Sequence, residues 1–510
     1  MDIKETYSEA EKRFDQFRRG MGLYAGPLAG LLVYFLPRAV AVPLPIPDAA
    51  HRLAALMIVM VIYWITEPIP LAITALLGPI LAIFFGIGKD KEVIASFGNP
   101  VLFLFIGSFT IARAMEKHRL DRRFSFWLLS FPMVSKSPYR ILFMLGTITA
   151  ILSMWISNTA ATAMIFPIAL GILGTLSSER RDNACEGKPH YATGVMLMIA
   201  FAASVGGIAT PIGTPPNLIG IGMLEKVIGY KISFFQWMQF GVPICLVMFL
   251  ILYLLLSILF PSHGLNMSGS SDFIAEQKKW LGKWTSGEKN TLIVFFVAVF
   301  LWVLPGILGL LYGPKGTILT LYNERLPEGG IAILAASLLF FLPIDRGKGV
   351  FTLSWDDAAS IDWGTILLFG GGLAMGDLMF KTGLSLAIGE GLLSLLPVES
   401  LWGITGLSIA LAIVISELSS NTAAANMVIP VVISIATASG LNPLPPALGA
   451  TLGASFGFML PISTPPNAIV YGSQLIPIRS MMRAGIVFDL IGFLVIWGGL
   501  RLLSPLMFLG

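Results

Sequence analysis

Apolar positions in this chain mostly run on without interruption instead of alternating with polar ones. The runs 23–42, 53–87, 141–176, 242–260, 292–311, 402–438 and 486–506 are each long enough to cross a hydrocarbon core, which takes about 20 residues. Several exceed one crossing and contain Pro or Gly, so they read as broken or paired segments. The pattern predicts an all-α polytopic membrane protein with roughly ten to twelve spans, about 11 as the central expectation. One long polar stretch, 261–289, divides the chain nearly in half and reads as a loop, with an interfacial helix around 272–284. The expected organisation is a lead-in at 1–20, a first membrane repeat at 21–260, the loop at 261–289 and a second repeat at 290–510.

Composition agrees. The chain is 55% hydrophobic and only 12% charged, about half the charge a water-facing domain carries. Mean hydropathy is +0.82. Residues 1–20 are amphipathic and charged and lack a cleavage site after a short apolar core. They read as a lead-in lying at the membrane surface, not a removable signal. Positive residues mark the cytoplasmic side. Lys4, Lys12, Arg13, Arg18 and Arg19 place the N-terminus inside. Arg113, Lys117, Arg119, Arg122 and Arg123, with Lys278, Lys279, Lys283 and Lys289, are expected inside too. The charge-balanced stretch 178–188 suits the outside. The plasma (inner) membrane is the expected location. Cys185, in an expected loop, and Cys245, in a span, form no disulfide framework.

The halves echo each other. Ser157-Asn158-Thr159-Ala160-Ala161 recurs as Ser420-Asn421-Thr422-Ala423-Ala424, with Met164 and Pro167 matched by Met427 and Pro430. Pro211-Ile212-Gly213-Thr214-Pro215-Pro216-Asn217 recurs as Pro461-Ile462-Ser463-Thr464-Pro465-Pro466-Asn467. Leu104-Phe105-Ile106-Gly107 is echoed by Leu368-Phe369-Gly370-Gly371. Three echoes in one order are a duplication, the signature of secondary transporters. An odd number of crossings per half makes the repeats inverted in topology, which is the expectation here. The Gly-rich segments 98–115 and 364–379 read as re-entrant hairpins, with Asp362 capping the second.

Chemistry concentrates in the repeated motifs. A polar triplet deep in an apolar run is costly unless satisfied. Ser and Thr can bond back to their own helix, but Asn brings two donors and an acceptor that need partners. Each Thr-Pro-Pro-Asn stops a helix, because proline lacks an N–H and clashes with the preceding turn. The carbonyls upstream then lose helical partners, which is tolerated only where backbone lines a cavity or binds a ligand. Asn217 and Asn467 are expected to cap the helices that resume. Each half thus offers a broken helix at its triplet and an unwound stretch at its prolines. Helix N-termini suit carboxylates. Hydroxyls, amide oxygens and freed carbonyls suit a small hard cation. Ser153 and Ser416, one turn before the triplets, can add ligands. No Lys or Arg lies within either motif, so a doubly charged anion there needs bound cations.

The paired Ser-Asn-Thr and Thr-Pro-Pro-Asn motifs closely resemble those of the divalent anion–sodium symporters. The similarity covers nearly the whole chain, including Trp64-Ile65-Thr66-Glu67-Pro68-Ile69-Pro70. The resemblance implies a homodimer of protomers, each with a scaffold domain and a transport domain that slides as an elevator. It implies import of C4-dicarboxylate-type anions with sodium and needs no organic cofactor. Carried over by position, Ser157, Asn158, Thr159, Ser420, Asn421 and Thr422 hold the substrate carboxylates, and Thr214, Thr464 and Pro465 border the site. One sodium takes Ser153, Ser157, Asn158 and Gly213. The other takes Ser416, Ser419, Asn421 and Ser463. In this family Ser416, Ser419 and Ser463 vary between Ser, Thr and Ala.

Glu67, Asp377 and Glu417 are carboxylates in apolar surroundings, candidates by default. Glu67 is expected to fix its Pro-rich bend, Asp377 to lie near a hairpin end, and Glu417 to face away from the site. A proton-coupled role for Glu417 stays open. His51, His118, His190 and His263 read as interfacial. An intramembrane protease is disfavoured because no His sits in a span, no His-Glu-x-x-His occurs and a second deep Asp is missing. No phosphate-binding loop supports an ATP-driven pump. A sodium-independent dicarboxylate exchanger, or sulfate or citrate as cargo, are the remaining alternatives.

Overall fold

The computed structural model describes residues 9–35, 47–131, 134, 137–178, 187–262, 265–266, 268–313, 316–395 and 400–507. Cys185, His263 and most of 178–188 lie outside these. Nearly all the ordered backbone is helical, with two short two-stranded pairs. Among the described residues, ten helices are long and apolar enough to cross a membrane, and the shorter apolar helices Leu71–Phe84, Pro138–Ser153 and Glu328–Phe341 accompany them. The chain is a multi-pass membrane protein.

Two sets of five helices build the centre. The first is α1 (Pro138–Ser153), α2 (Asn158–Thr175), α3 (Gly187–Gly207), α4 (Pro215–Ile228) and α5 (Phe234–Leu259). The second is α6 (Leu401–Leu418), α7 (Asn421–Ala438), α8 (Leu444–Gly453), α9 (Pro465–Tyr471) and α10 (Ile478–Met507). The N-caps follow from sequence. Ser157 and Ser420 adopt extended backbone and accept from the amides of Ala160 and Ala423, both at 3.2 Å. Each satisfies an orphan first-turn donor.

The triplets sit at hairpin turns. In the first half α1 runs parallel to α3. Tyr191 Oη donates to Pro138 O (2.7 Å) at one end. At the other, Gly206 meets Ala150 so closely that a Cβ would lie 2.2 Å from Ala150 O. Close approach of backbones is what small residues permit between apolar helices. The end of α2 returns to the start of α1, since Ser177–Ser178 pairs antiparallel with Leu265–Asn266 and Ser262 N donates to Tyr139 Oη (3.4 Å). The second half repeats this arrangement. Gly449 of α8 packs on Thr405 and Ile409 of α6, Ser416 Oγ donates to Ala454 O (2.8 Å), and the short link 439–443 carries α7 back to the start of α8.

Four expectations are corrected here. The segments 98–115 and 364–379 do not turn back on themselves. Pro100–Lys117 is one helix capped by Asn99, and Trp363–Thr382 is one helix capped by Asp362, which accepts from Thr365 N (3.1 Å) as expected. Glycine there serves packing. The triplet is a hairpin tip, not a break in a continuous helix. Because a hairpin returns the chain to the side it left, Ser177 and Ser178 share an end of the molecule with Leu265 and Asn266, so Ser178 and the start of the loop at 261–289 do not lie on opposite sides. The helix in that loop is Ser268–Trp280, earlier than 272–284.

Helix Glu9–Phe35 carries the charged lead-in and the first apolar run as one piece. The two basic clusters come together. Arg123 pairs with Glu288 (2.6 Å), donates to Leu281 O (2.8 Å) and lies over Trp284. Nearby, Lys117 Nζ meets Asp357 at 2.6 Å. Burial alone would raise the Asp357 carboxyl, but hydrogen bonds from Lys117 and Ser354 outweigh it and hold the group down to about 2. A carboxylate whose folded pKa is depressed adds stability above its unfolded value, and loses it as pH falls through the folded one. Wild type is therefore expected to melt above Lys117→Met at neutral pH in detergent. Thermal unfolding followed with pH should show the gap closing between about 4 and about 2.

Candidate functional site

Each half breaks between its third and fourth helix. Thr214 and Thr464 hold extended backbone just before Pro215-Pro216 and Pro465-Pro466, as a residue preceding proline must. Thr464 Oγ1 accepts from Asn467 N (3.4 Å). The asparagines do something other than the capping expected of them. Asn217 Nδ2 donates back to Gly207 O (2.9 Å) and Thr210 O (2.8 Å). Asn467 Nδ2 donates to Gly457 O (2.9 Å) and Leu460 O (3.0 Å). Both side chains are fully buried. Each therefore stitches the unwound stretch, taking up the Gly207 or Gly457 carbonyl that Pro211 or Pro461 leaves open and adding a second donor to the Thr210 or Leu460 carbonyl, which also accepts from Gly213 N or Ser463 N. The two halves match residue for residue.

Behind each hairpin tip lies a cluster of oxygens. Ser153 Oγ donates to Asn158 Oδ1 (2.7 Å), and Ser416 Oγ lies 2.8 Å from Asn421 Oδ1 as well as from Ala454 O, sharing its one hydrogen between them. Gly213 closes the first cluster. A Cβ there would sit 2.5 Å from Gly207 O and 2.9 Å from Ser153 O, and one on Gly207 would meet Asn158 Oδ1 at 2.4 Å. The absence of side chains at Gly207 and Gly213 lets carbonyl and amide oxygens converge on one small space. In the second cluster Ser463 replaces Gly213, its hydroxyl donating to the nearer Glu417 Oε2 (2.6 Å), with Glu417 O 3.1 Å away. Ser419 donates to Ile415 O of its own helix (2.9 Å). Ser153 and Ser416 are fully buried, and Ser419 and Ser463 nearly so. Such sets of neutral oxygens suit a hard monovalent cation.

In front of the clusters the halves meet. Helix α4 packs on α7 and α8, while α9 packs on α2 and α3, an exchange with two-fold character. The result is one cavity of about 730 Å³ lined by Ser157, Asn158, Thr159, Thr214, Ser420, Asn421, Thr422, Thr464 and Pro465. All nine residues expected around the substrate are thus brought to a single space, with Gly213 and Ser463 on its wall. The starts of α2 and α7 face it, and helix N-termini favour anions. Arg113, Glu67, Glu116 and Asp362 also line it, and Arg113 is paired with Glu116 at 3.0 Å. Motif reading missed Arg113, since it lies far from either triplet in sequence.

The other candidates divide. Glu67, left-handed at the end of helix Asp48–Thr66, reaches the cavity wall. Asp377 pairs with Lys381 (2.9 Å) and Lys226 (4.0 Å), away from the cavity. Glu417 does not face away: it is buried against the second cluster. A readable signal existed, because an intramembrane carboxylate three residues before the triplet has no counterpart in the first half. His51, on the first turn of helix Asp48–Thr66, is buried and bonds Tyr34 O (3.0 Å), and His118 contacts Thr352 O (2.8 Å).

Residues 23–507 match the family described as the sodium:sulfate symporter transmembrane region. The chain belongs to the divalent anion–sodium symporter family. Within it, the chain is 32% identical over 484 residues to the sodium-dependent dicarboxylate transporter SdcS of Staphylococcus saprophyticus, covering 93% of this chain and 90% of that protein. It is 32% identical over 503 residues to SdcS of Staphylococcus aureus strain USA300, covering 96% and 92%. Among solved structures, the fold is similar to the Alcanivorax borkumensis YdaH transporter (TM-score 0.54, 13% identity, 82% of this chain and 88% of that one). It is also similar to Neisseria gonorrhoeae MtrF (TM-score 0.52, 14% identity, 82% and 83%). At such identities these two speak for the fold alone, whereas the family assignment rests on the sequence.

Proposed function

We propose that this family member is a secondary transporter importing a small C4-type dicarboxylate together with sodium. The observation that carries the reading is the single cavity in which both Ser-Asn-Thr tips and both Thr-Pro breaks converge, with an oxygen cluster behind each tip. In this reading Ser157, Asn158, Thr159, Ser420, Asn421 and Thr422 bind the two carboxylates at the starts of α2 and α7. Thr214, Thr464 and Pro465 close the sides. Sodium takes Ser153, Ser157, Asn158 and Gly213 in one half, and Ser416, Ser419, Asn421 and Ser463 in the other.

Charge on the wall supports coupling. One arginine faces three carboxylates there, so the protein does not itself neutralise a dianion. Two helix starts, each worth about half a charge, offset only part of the deficit, and bound cations supply the remainder. The relatives named as sodium-dependent dicarboxylate transporters favour the same cargo. The cycle we propose is an elevator: in a homodimer, the paired hairpins and broken helices move as a body against a scaffold holding the partner. The repeats are inverted, the protein sits in the plasma (inner) membrane and its N-terminus is cytoplasmic.

The test is uptake of radiolabelled succinate into proteoliposomes with an inward sodium gradient, then with choline replacing sodium. Uptake only with sodium is the expected result. Uptake that ignores sodium but requires internal dicarboxylate would make the protein an exchanger.

A further inference from the structure

The two oxygen clusters are not equivalent, and the difference involves three positions at once. Superposing the motifs matches Met154 with Glu417 and Gly213 with Ser463. Gly241 of α5 approaches Ile208 O as Gly485 of α10 approaches Phe458 O. That register matches Cys245 with Asp489. The first half thus has Met, Gly and Cys where the second has Glu, Ser and Asp, and all three polar groups are buried. Glu417 Oε1 accepts from Met459 N (2.8 Å) in the unwound stretch. Its Oε2 accepts from Ser463 Oγ (2.6 Å). Asp489 lies within electrostatic reach of Glu417, buried, with neither carboxyl oxygen in a hydrogen bond among the described residues. The proposed substrate and cation contacts use neither carboxyl.

A serine hydroxyl serves a cation only through its lone pairs, so its hydrogen must point elsewhere. In the first half the position is glycine and the question does not arise. In the second, Glu417 takes that hydrogen and pins the adjacent loop through Met459. We propose that Glu417, backed by Asp489, is a positioning residue for the second cation cluster, orienting Ser463 so that its oxygen faces the ion. This inference rests on the sodium-coupled reading above. It makes the two cation sites unequal, because only the second depends on an acidic support behind its ligand.

The experiment is the sodium activation curve of succinate uptake in proteoliposomes for wild type, Glu417→Ala, Glu417→Gln, Ser463→Gly and the double variant Glu417→Ala/Ser463→Gly. Loss of a charged-acceptor hydrogen bond is expected to raise the sodium K0.5 of Glu417→Ala about tenfold. The succinate KM at saturating sodium stays within about twofold, because the substrate contacts are intact. Ser463→Gly shifts K0.5 similarly. The double variant is no worse than the larger single, as expected when one residue acts through the other. Glu417→Gln keeps the shape but offers an amide N–H to one of the two donors, and it raises K0.5 about threefold. If Glu417→Ala fails to assemble, the Gln variant carries the test. A lowered Vmax with unchanged sodium K0.5 would reduce Glu417 to a packing role and overturn the proposal, as would additive effects in the double variant. Wild-type uptake that is flat in sodium would instead defeat the underlying reading, a distinct outcome seen before any variant is made.

Discussion

Asn158→Ala and Asn421→Ala are each expected to reduce sodium-driven succinate uptake to below about one-hundredth of wild type, while the purified protein stays monodisperse and thermally stable. Each asparagine plays two parts in the proposed site. Its Oδ1 accepts from the serine one turn earlier and belongs to the cation cluster, while its backbone opens the helix that faces the anion. Alanine deletes the oxygen from the cation cluster; at position 158 it also takes the acceptor of the fully buried Ser153, whereas Ser416 keeps Ala454 O. Losing such a partner costs about 1–3 kcal/mol, and a missing cation ligand adds to it, so a total near 3 kcal/mol corresponds to about two decades. The helix start itself survives, since Ser157 and Ser420 still cap Ala160 and Ala423. Near-normal uptake by either variant would remove that residue from the site. Equal loss in both would say that the two halves contribute together.

Asn217→Leu and Asn467→Leu should act on the fold first. Each side chain bridges two carbonyls in a dry stretch of backbone. Leucine keeps the branching of the side chain but is bulkier and donates nothing, so it strands Gly207 O or Gly457 O where neither water nor lipid replaces the donor, while Thr210 O and Leu460 O keep the amides of Gly213 and Ser463. The stranded carbonyl costs about 1–3 kcal/mol and the extra bulk in a fully buried site adds about 1–3 kcal/mol, together a large share of a domain's margin. The expected readout is little recoverable protein by fluorescence size-exclusion in mild detergent. Asn→Asp at the same positions should fare no better, because Asp offers those carbonyls no amide donor. Well-behaved, transport-competent leucine variants would show that the unwound stretches hold themselves.

Much of this site was legible in the chain itself. Ser-Asn-Thr and Thr-Pro-Pro-Asn stand out because asparagine and paired prolines are expensive in an apolar run, and their recurrence in order removes coincidence. The hairpin turns were not legible. Met154-Trp155-Ile156 carries no Gly or Pro, and its side chains continue the apolar pattern, so nothing local says that the chain reverses there. The conspicuous glycines at 98–115 and 364–379 drew the turn to the wrong place, since glycine also marks close packing. Charge balance along the sequence was too weak a signal to set the side of Ser178 against its pairing with Leu265. Which way Glu417 faces is decided by α9 and α10, distant in sequence, so only the mismatch between the halves hinted at its place.

The crossing of α4 onto α7 and α8, and of α9 onto α2 and α3, bears on biogenesis. Neither repeat finishes its own site. While the chain is being synthesised, the first half enters the bilayer with α4 lacking the surface it will rest on. It has to wait in that state until residues as far as Gly453 have been inserted, and α2 and α3 wait for α9, as far as Tyr471. The vulnerable interval in this protein's life is thus the time between insertion of its two halves, when a quality-control protease would find broken helices that have not yet met their counterparts.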